Sequence, residues 1–172
     1  MLLGKRIYLR TIDSGDFEII NRWENSPEYW TISGTQVPFS KDLILAYVHD
    51  SQDIYQSKQV RFIICLLEND KPIGHVDLFD FEPHHSKAGV GILIVKTEQR
   101  KGYAKEALKI LKNYCIQHLG LRNLYCNIIE DNEASIHLFE TLGFEKIGLQ
   151  KDWIKEGYEW KNVWLLQCLL NE

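Results

Sequence analysis

The sequence predicts a mixed α/β (α+β) fold, with a largely antiparallel central sheet of about seven strands flanked by about four helices. Three observations carry this. Between Val60 and Val95, "VRFIICLLE", "IGHVDLFDFEP" and "KAGVGILIV" are rich in Ile, Val, Phe and Leu and read as a three-stranded meander, with "NDKP" as its first turn. Beyond them Ala104, Ala107, Leu108, Leu111, Cys115 and Leu119 recur at helical spacing, which predicts a long amphipathic helix stopped by Gly120. The chain then returns to strands, "FEKIGLQKDWI" and "EWKNVWLLQCLL" flanking the turn "KEGY" as a hairpin. Such blocks differ from a repeated βαβ alternation.

The other elements follow from local signals. "RIYLRTI" reads as the first strand, after which Asp13 or Ser14 caps a helix carrying Phe17, Ile20 and Trp23 on one face. "NSPEYWTISGTQVPFS", polar but containing Tyr29 and Trp30, reads as a loop, and Ser40 caps a helix with Leu43, Ile44, Tyr47 and Val48 at helical spacing. "NLYCNII" is a strand; Asp131 or Asn132 caps the helix "EASIHLFETL", ended by Gly143. Neither repeats nor a Pro/Gly/Ser-rich linker divide the chain, so residues 1–172 are expected to form one domain.

Composition excludes several function classes. A chain of 172 residues, 45% hydrophobic and 26% charged, can bury a core without disulfides or metals. A net charge of -4 and a pI near 5.9 give no basic footprint for nucleic acid; the mild acidic excess suits a cationic substrate or is simply solvated surface. Cys65, Cys115, Cys126 and Cys168 form no C-x-x-C pair, and the six histidines add no metal-type spacing, so no metal is expected and the thiols read as buried in a reducing compartment. The opening "MLLGKRIYLRTID" is charged too early for a secretory or membrane segment, which predicts a cytoplasmic protein that does not engage a membrane. It is expected to be a monomer or a homodimer, the latter through an apolar patch at Trp153, Trp160 and Trp164.

The most informative stretch is "EQRKGYAKEA", Glu98 to Ala107, between the apolar run "GILIV" and the long helix. A helix start leaves amide hydrogens unpaired and carries partial positive charge, which suits an anion. Gly102 lets backbone approach a phosphate, and Arg100 and Lys101 add charge; alternatively the stretch is a basic surface turn. There is no G-x-x-x-x-G-K-[ST], and the only G-x-G, in "AGVG", runs into a strand, so nucleotide-triphosphate and dinucleotide motifs are unsupported.

At Gln99-Arg100-Lys101-Gly102-Tyr103-Ala104 the sequence resembles the Q/R-x-x-G-x-G/A acetyl-CoA motif of the GNAT superfamily of N-acetyltransferases. "DNEASIHLFETLGFEKIG" resembles the family's later N-x-x-[AS]-x-x-[LI]-[YF]-x-x-x-G-F segment, and "GKRIYLRTIDSGDFEIINRWENSPE" with "KEGYEWKNVWLL" is similar to the branch of ribosomal-protein N-terminal and spermidine N-acetyltransferases. The similarity runs from about Lys5 to Leu170. It implies a GNAT-like fold in which acetyl-CoA is the acetyl donor. Backbone of Ile92, Leu93 and Ile94 would pair with the pantetheine arm. Gln99, Arg100, Lys101, Gly102, Tyr103, Ala104 and Lys105 would supply the pyrophosphate loop, and Asn132, Ser135 and Phe139 would complete the cofactor site. The strand before the motif and the strand Leu124 to Ile129 would splay to admit the cofactor.

Acetyl transfer to a primary amine, by direct attack in a ternary complex, needs a base for the ammonium proton, helped by an acid for the leaving thiolate. Many relatives carry a tyrosine where this chain has Phe139, and a glutamate where it has Gly89. Asp77 is therefore the first choice for the catalytic base or amine-binding anion, with a structural carboxylate paired to an arginine or backbone as the alternative. Alternation puts His75, Asp77 and Phe79 on one face and Val76, Leu78 and Asp80 on the other, unless a bulge intervenes. His75 could relay a proton, and Tyr125 or Cys126 could replace the missing acid. Tyr29 and Trp30 are candidates to hold the acceptor, or else pack as a lid. Thr31-Ile32-Ser33 follows them where spermidine enzymes carry acidic residues, so the acceptor stays open among a protein N-terminus, a small amine and an amino sugar. An acyl-CoA-binding module without catalysis is the alternative function.

Overall fold

A computed structural model describes residues 1–33, 35–49 and 53–170, with backbone alone for 31–33. The strands are β1 (Leu2–Leu3), β2 (Ile7–Thr11), β3 (Val60–Leu66), β4 (Pro72–Glu82), β5 (Lys87–Ile94), β6 (Asn123–Ile129), β7 (Glu145–Glu156) and β8 (Glu159–Leu169). The helices are α1 (Phe17–Glu24), α2 (Pro27–Ser33), α3 (Lys41–His49), α4 (Ile54–Ser57), α5 (Tyr103–Gln117) and α6 (Glu133–Glu140). The eight strands form one sheet in the order β1-β2-β3-β4-β5-β6-β8-β7, antiparallel throughout except where β5 meets β6.

The meander, the long helix and the terminal hairpin stand where periodicity puts them. The counts rise from about seven strands and four helices because β1, α2 and α4 carry little periodic signal. The expected loop around Tyr29 and Trp30 is instead helical from Pro27, a residue whose fixed φ suits a first helical turn. The four-residue α4 is set by its ends: the Asp53 side chain accepts the Tyr55 amide hydrogen, and Lys58 closes it in the left-handed region.

Alternation along β2 separates two cores. Ile7 and Leu9 join Phe62, Ile64, Val76 and Leu78 beneath α5, whose Ala107, Leu108, Leu111 and Cys115 are buried. Tyr8 joins Ile63 and Cys65 on the opposite face, covered by Ile20 and Trp23 of α1 and Ile44 and Val48 of α3. Of the face expected on α3, Leu43 is turned to solvent; Ser40 caps that helix through the Leu43 amide, 3.2 Å away. Asp13 caps a short 3-10 turn leading into α1, in a reciprocal arrangement with Asp16. In β4 a bulge after Phe79, with Asp80 at φ 47°, breaks strict alternation.

Candidate active site

The parallel contact between β5 and β6 is brief. Lys87, Ala88 and Gly89 pair with Asn123, Leu124 and Tyr125, and beyond Gly89 the strands part, β5 staying on β4 while β6 follows β8 to Ile129. A buried strand edge is opened by this divergence. The Val95 amide donates to Ile73 on the β4 side, so by alternation Ile92 and Ile94 turn their amides and carbonyls toward the gap. The Ile94 carbonyl is taken by Gln99 Nε2 at 2.9 Å, which leaves the Ile92 groups and the Ile94 amide for an extended ligand.

A cleft of about 520 Å³ fills the divergence. Ile92, Leu93 and Ile94 form one wall, Asn132, Ala134, Ser135 and Leu138 of α6 another, and Gln99, Arg100, Gly102, Tyr103, Ala104 and Lys105 its floor. Glu28 and Tyr29 of α2 close one side together with Lys96. The Asn132 side chain caps α6 by accepting the Ser135 amide hydrogen at 3.2 Å. At the head of α5, Arg100 (φ 61°) and Gly102 (φ 84°) are left-handed, and the helix begins at Tyr103 with no side-chain cap, so among the described residues its first amides, beside the cleft floor, have no hydrogen-bond partner. A mixed apolar and amide-lined cleft leading to such an end fits a long ligand with an anionic middle.

Two expected residues of this group stand elsewhere. The Lys101 ammonium is tied to the buried Glu98 at 2.8 Å, beside Lys71 on the same carboxylate. Phe139 lies on the far side of α6, 3% exposed and edge-on to Phe144, because the helical turn that presents Asn132, Ser135 and Leu138 to the cleft sends position 139 into the core.

Asp77, expected as a base, is engaged on both oxygens. Arg61 Nε and Nη2 each reach it at 2.8 Å, and His75 Nδ1 lies 3.2 Å from Oδ1. Arg61 Nη1 also pairs with Glu24 of α1, and the Tyr47 ring lies 5.6 Å from the guanidinium carbon. Burial would push the Asp77 carboxyl up, but Arg61 and His75 outweigh it and hold the group well below the usual carboxylate range. A carboxylate so held is a weak proton acceptor near neutral pH, which corrects the expectation of Asp77 as a free base. Because it stays ionised, His75 Nδ1 carries the hydrogen of that contact, and in the neutral ring Nε2 is left as an acceptor. The His75 ring lies 5.8 Å from Trp23, and its residue pairs across the ladder with Leu93 of the cleft wall.

Tyr29 is 8% exposed and meets the backbone of Lys96, while the Trp30 indole donates to the Glu24 carbonyl at 3.0 Å; both hold α2 in place, and only Tyr29 reaches the cleft. The side chains of the three residues after them lie outside the described residues. Tyr125 donates to Asp80 at 2.9 Å, and burial together with that bond pushes its hydroxyl up to about 12; burial does the same to Cys126. Neither lines the cleft. Gly89 lies beneath Phe79, whose ring occupies the place a side chain there would need.

Sequence reasoning missed Arg61, Glu24, Glu28 and Lys96. Arg61 had a local signal, since it is the one charge inside the apolar strand "VRFIICL"; Glu24 and Glu28 had none, for their roles depend on how α1 and α2 dock.

An open-edged sheet with an uncapped helix end at the fork is an arrangement suited to a long ligand with an anionic part. The chain matches the model of the acetyltransferase (GNAT) domain over residues 6–145, and it belongs to that family and is an N-acetyltransferase. Curated relatives include an uncharacterized N-acetyltransferase p20 of Bacillus licheniformis, 26% identical and covering 99% of this chain and 97% of its own. Spermidine N(1)-acetyltransferase of Escherichia coli K12 is 27% identical over 83% of this chain and 74% of its own. Among solved structures, spermidine N-acetyltransferase from Vibrio cholerae in complex with CoA and spermine superposes with a TM-score of 0.88 at 22% identity, covering 96% of both chains. That likeness concerns the fold. Among the described residues no helix is long and apolar enough to cross a membrane.

Proposed function

We propose that this protein transfers an acetyl group from acetyl-CoA to a primary amine by direct attack within a ternary complex. The observation that carries the reading is the divergence of β5 and β6 over a cleft that ends on the uncapped amides of α5. Acetyl-CoA, when bound, supplies the activated thioester. Ile92 and Ile94 hold its pantetheine arm by backbone pairing, Gly102 to Lys105 face its pyrophosphate, and Asn132 and Ser135 lie along the opposite wall. The acceptor enters on the sheet face covered by α1 and α2, where Tyr29 and Glu28 flank the cleft.

On that face Arg61 is shared by two carboxylates, so the group of Glu24, Asp77 and Arg61 keeps one negative charge in excess, which favours an amine arriving as an ammonium ion. His75, oriented by Asp77, accepts the amine proton through water. The leaving thiolate has a pKa of about 8.5 and departs without a side-chain acid, since Phe139 is turned into the core and neither Tyr125 nor Cys126 lines the cleft. A small amine is the favoured acceptor, supported by relatives whose names specify spermidine. Four free, buried cysteines support a reducing, cytoplasmic setting.

The test is to supply acetyl-CoA with a panel of small amines, amino sugars and peptide N-termini while following thiol release. Amine-dependent release is expected; tight acetyl-CoA binding with no turnover on any amine would refute the transferase reading. His75→Gln should lower kcat while leaving acetyl-CoA affinity unchanged, and an unchanged kcat would return His75 to packing.

A further inference from the structure

Arg6 belongs to the connection between β1 and β2, far in sequence from the loop at the head of α5, yet its guanidinium is built into that loop. Nε meets Glu106 Oε2 at 3.0 Å, Nη1 donates to the Lys101 carbonyl at 2.9 Å, and the planar group lies over the Tyr103 ring, 4.8 Å from its centre. The other oxygen of Glu106 accepts the backbone amide hydrogens of Lys5 and Arg6 at 2.7 and 2.8 Å, which fixes the root of the side chain. Nη2 has no hydrogen bond among the described residues and stands 3.3 Å from the point where a Cβ on Gly102 would lie.

The loop needs such a hold. Left-handed backbone at Arg100 and Gly102 can gather successive amides around an anion only if the intervening carbonyl points away, since a carbonyl oxygen turned inward would repel it. That carbonyl is Lys101 O, and Arg6 is the group bound to it. The Lys101 ammonium cannot do the same work because Glu98 holds it.

We propose that Arg6 is a positioning residue for the pyrophosphate of acetyl-CoA: by binding the Lys101 carbonyl behind the loop, it keeps the amides from Gly102 onward aimed at the phosphates. The inference rests on the acetyl-CoA reading above. Arg6 is not part of the cleft lining, so its contribution passes through the loop.

The experiment compares two probes by calorimetry and ligand-observed NMR: acetyl-CoA, and S-acetylpantetheine, which has the same reactive arm and no phosphate. Arg6→Ala should weaken acetyl-CoA binding about tenfold, as expected for losing one charge-assisted hydrogen bond, and leave S-acetylpantetheine within about twofold. Arg6→Lys should stay close to Arg6→Ala, because a point charge cannot span Glu106 and the Lys101 carbonyl together as the planar fork does, and it guards against loss of fold. Unchanged acetyl-CoA affinity in Arg6→Ala, equal weakening of both probes, or full recovery with lysine would each overturn the role of Arg6 alone. Failure of the unaltered protein to bind acetyl-CoA would bring down the cofactor reading and this inference with it.

Discussion

Replacing Arg61 by methionine tests the charge network on the acceptor face. Methionine retains much of the aliphatic stem that packs near Tyr47 and removes the cation that two carboxylates share. The side chains of Arg61, Glu24 and Asp77 are 13%, 15% and 22% exposed, so water can only partly replace the lost partner. Breaking a buried pair by removing one member costs roughly 3–5 kcal/mol, and the residual exposure puts this case near ~3. For a chain of this size that is a fall in Tm of about 6–12 °C.

The effect should depend on pH in a defined direction. In the parent the Asp77 carboxyl is depressed below its unfolded value of ~3.9, so its stabilisation is complete above that value and lost as pH falls below it. In Arg61→Met the Asp77 carboxylate loses the Arg61 cation, its affinity for protons rises, and the deficit is relieved on acidification. The Tm gap should be widest near neutral pH and narrow progressively as pH falls below about 4. Differential scanning calorimetry of both proteins across that range is the assay. A gap under about 1 kcal/mol at neutral pH, or one that does not narrow in acid, would refute the reasoning.

Two further outcomes follow from the cleft. Gly102→Glu would force a side chain into left-handed backbone at φ 84°, crowd Arg6, and bring negative charge to the pyrophosphate loop; acetyl-CoA binding measured by calorimetry should be abolished while circular dichroism still reports the native fold. In Phe139→Tyr the ring sits in the core against Phe144, so the added hydroxyl should lower stability by about 1–3 kcal/mol in urea titration and leave kcat no higher.

Strong periodicity made the meander, α5 and the hairpin legible, and a glycine-marked helix start made the anion end of the site legible. The short elements were not. α2 carries the cleft-closing Tyr29 on only seven residues, too few to show a face, and its placement depends on the Trp30 bond to the Glu24 carbonyl. The Asp77 carboxylate was visible as an anomaly in an apolar strand, but whether it was free or paired turned on Arg61, one strand away at the matching register position. The bulge after Phe79, which places Asp80 beside Tyr125, has no signature in the alternation of the surrounding residues.

The ring of Phe79 across Gly89 links two positions that sequence comparison would treat separately. A Cβ at 89 would fall 2.2 Å from Phe79 Cε2, far inside contact distance. An acidic side chain at 89 therefore requires the Phe79 ring to move or to be replaced by a smaller side chain. What can stand at 89 is thus set by what stands at 79, its partner across the ladder, and the two positions behave as one steric unit.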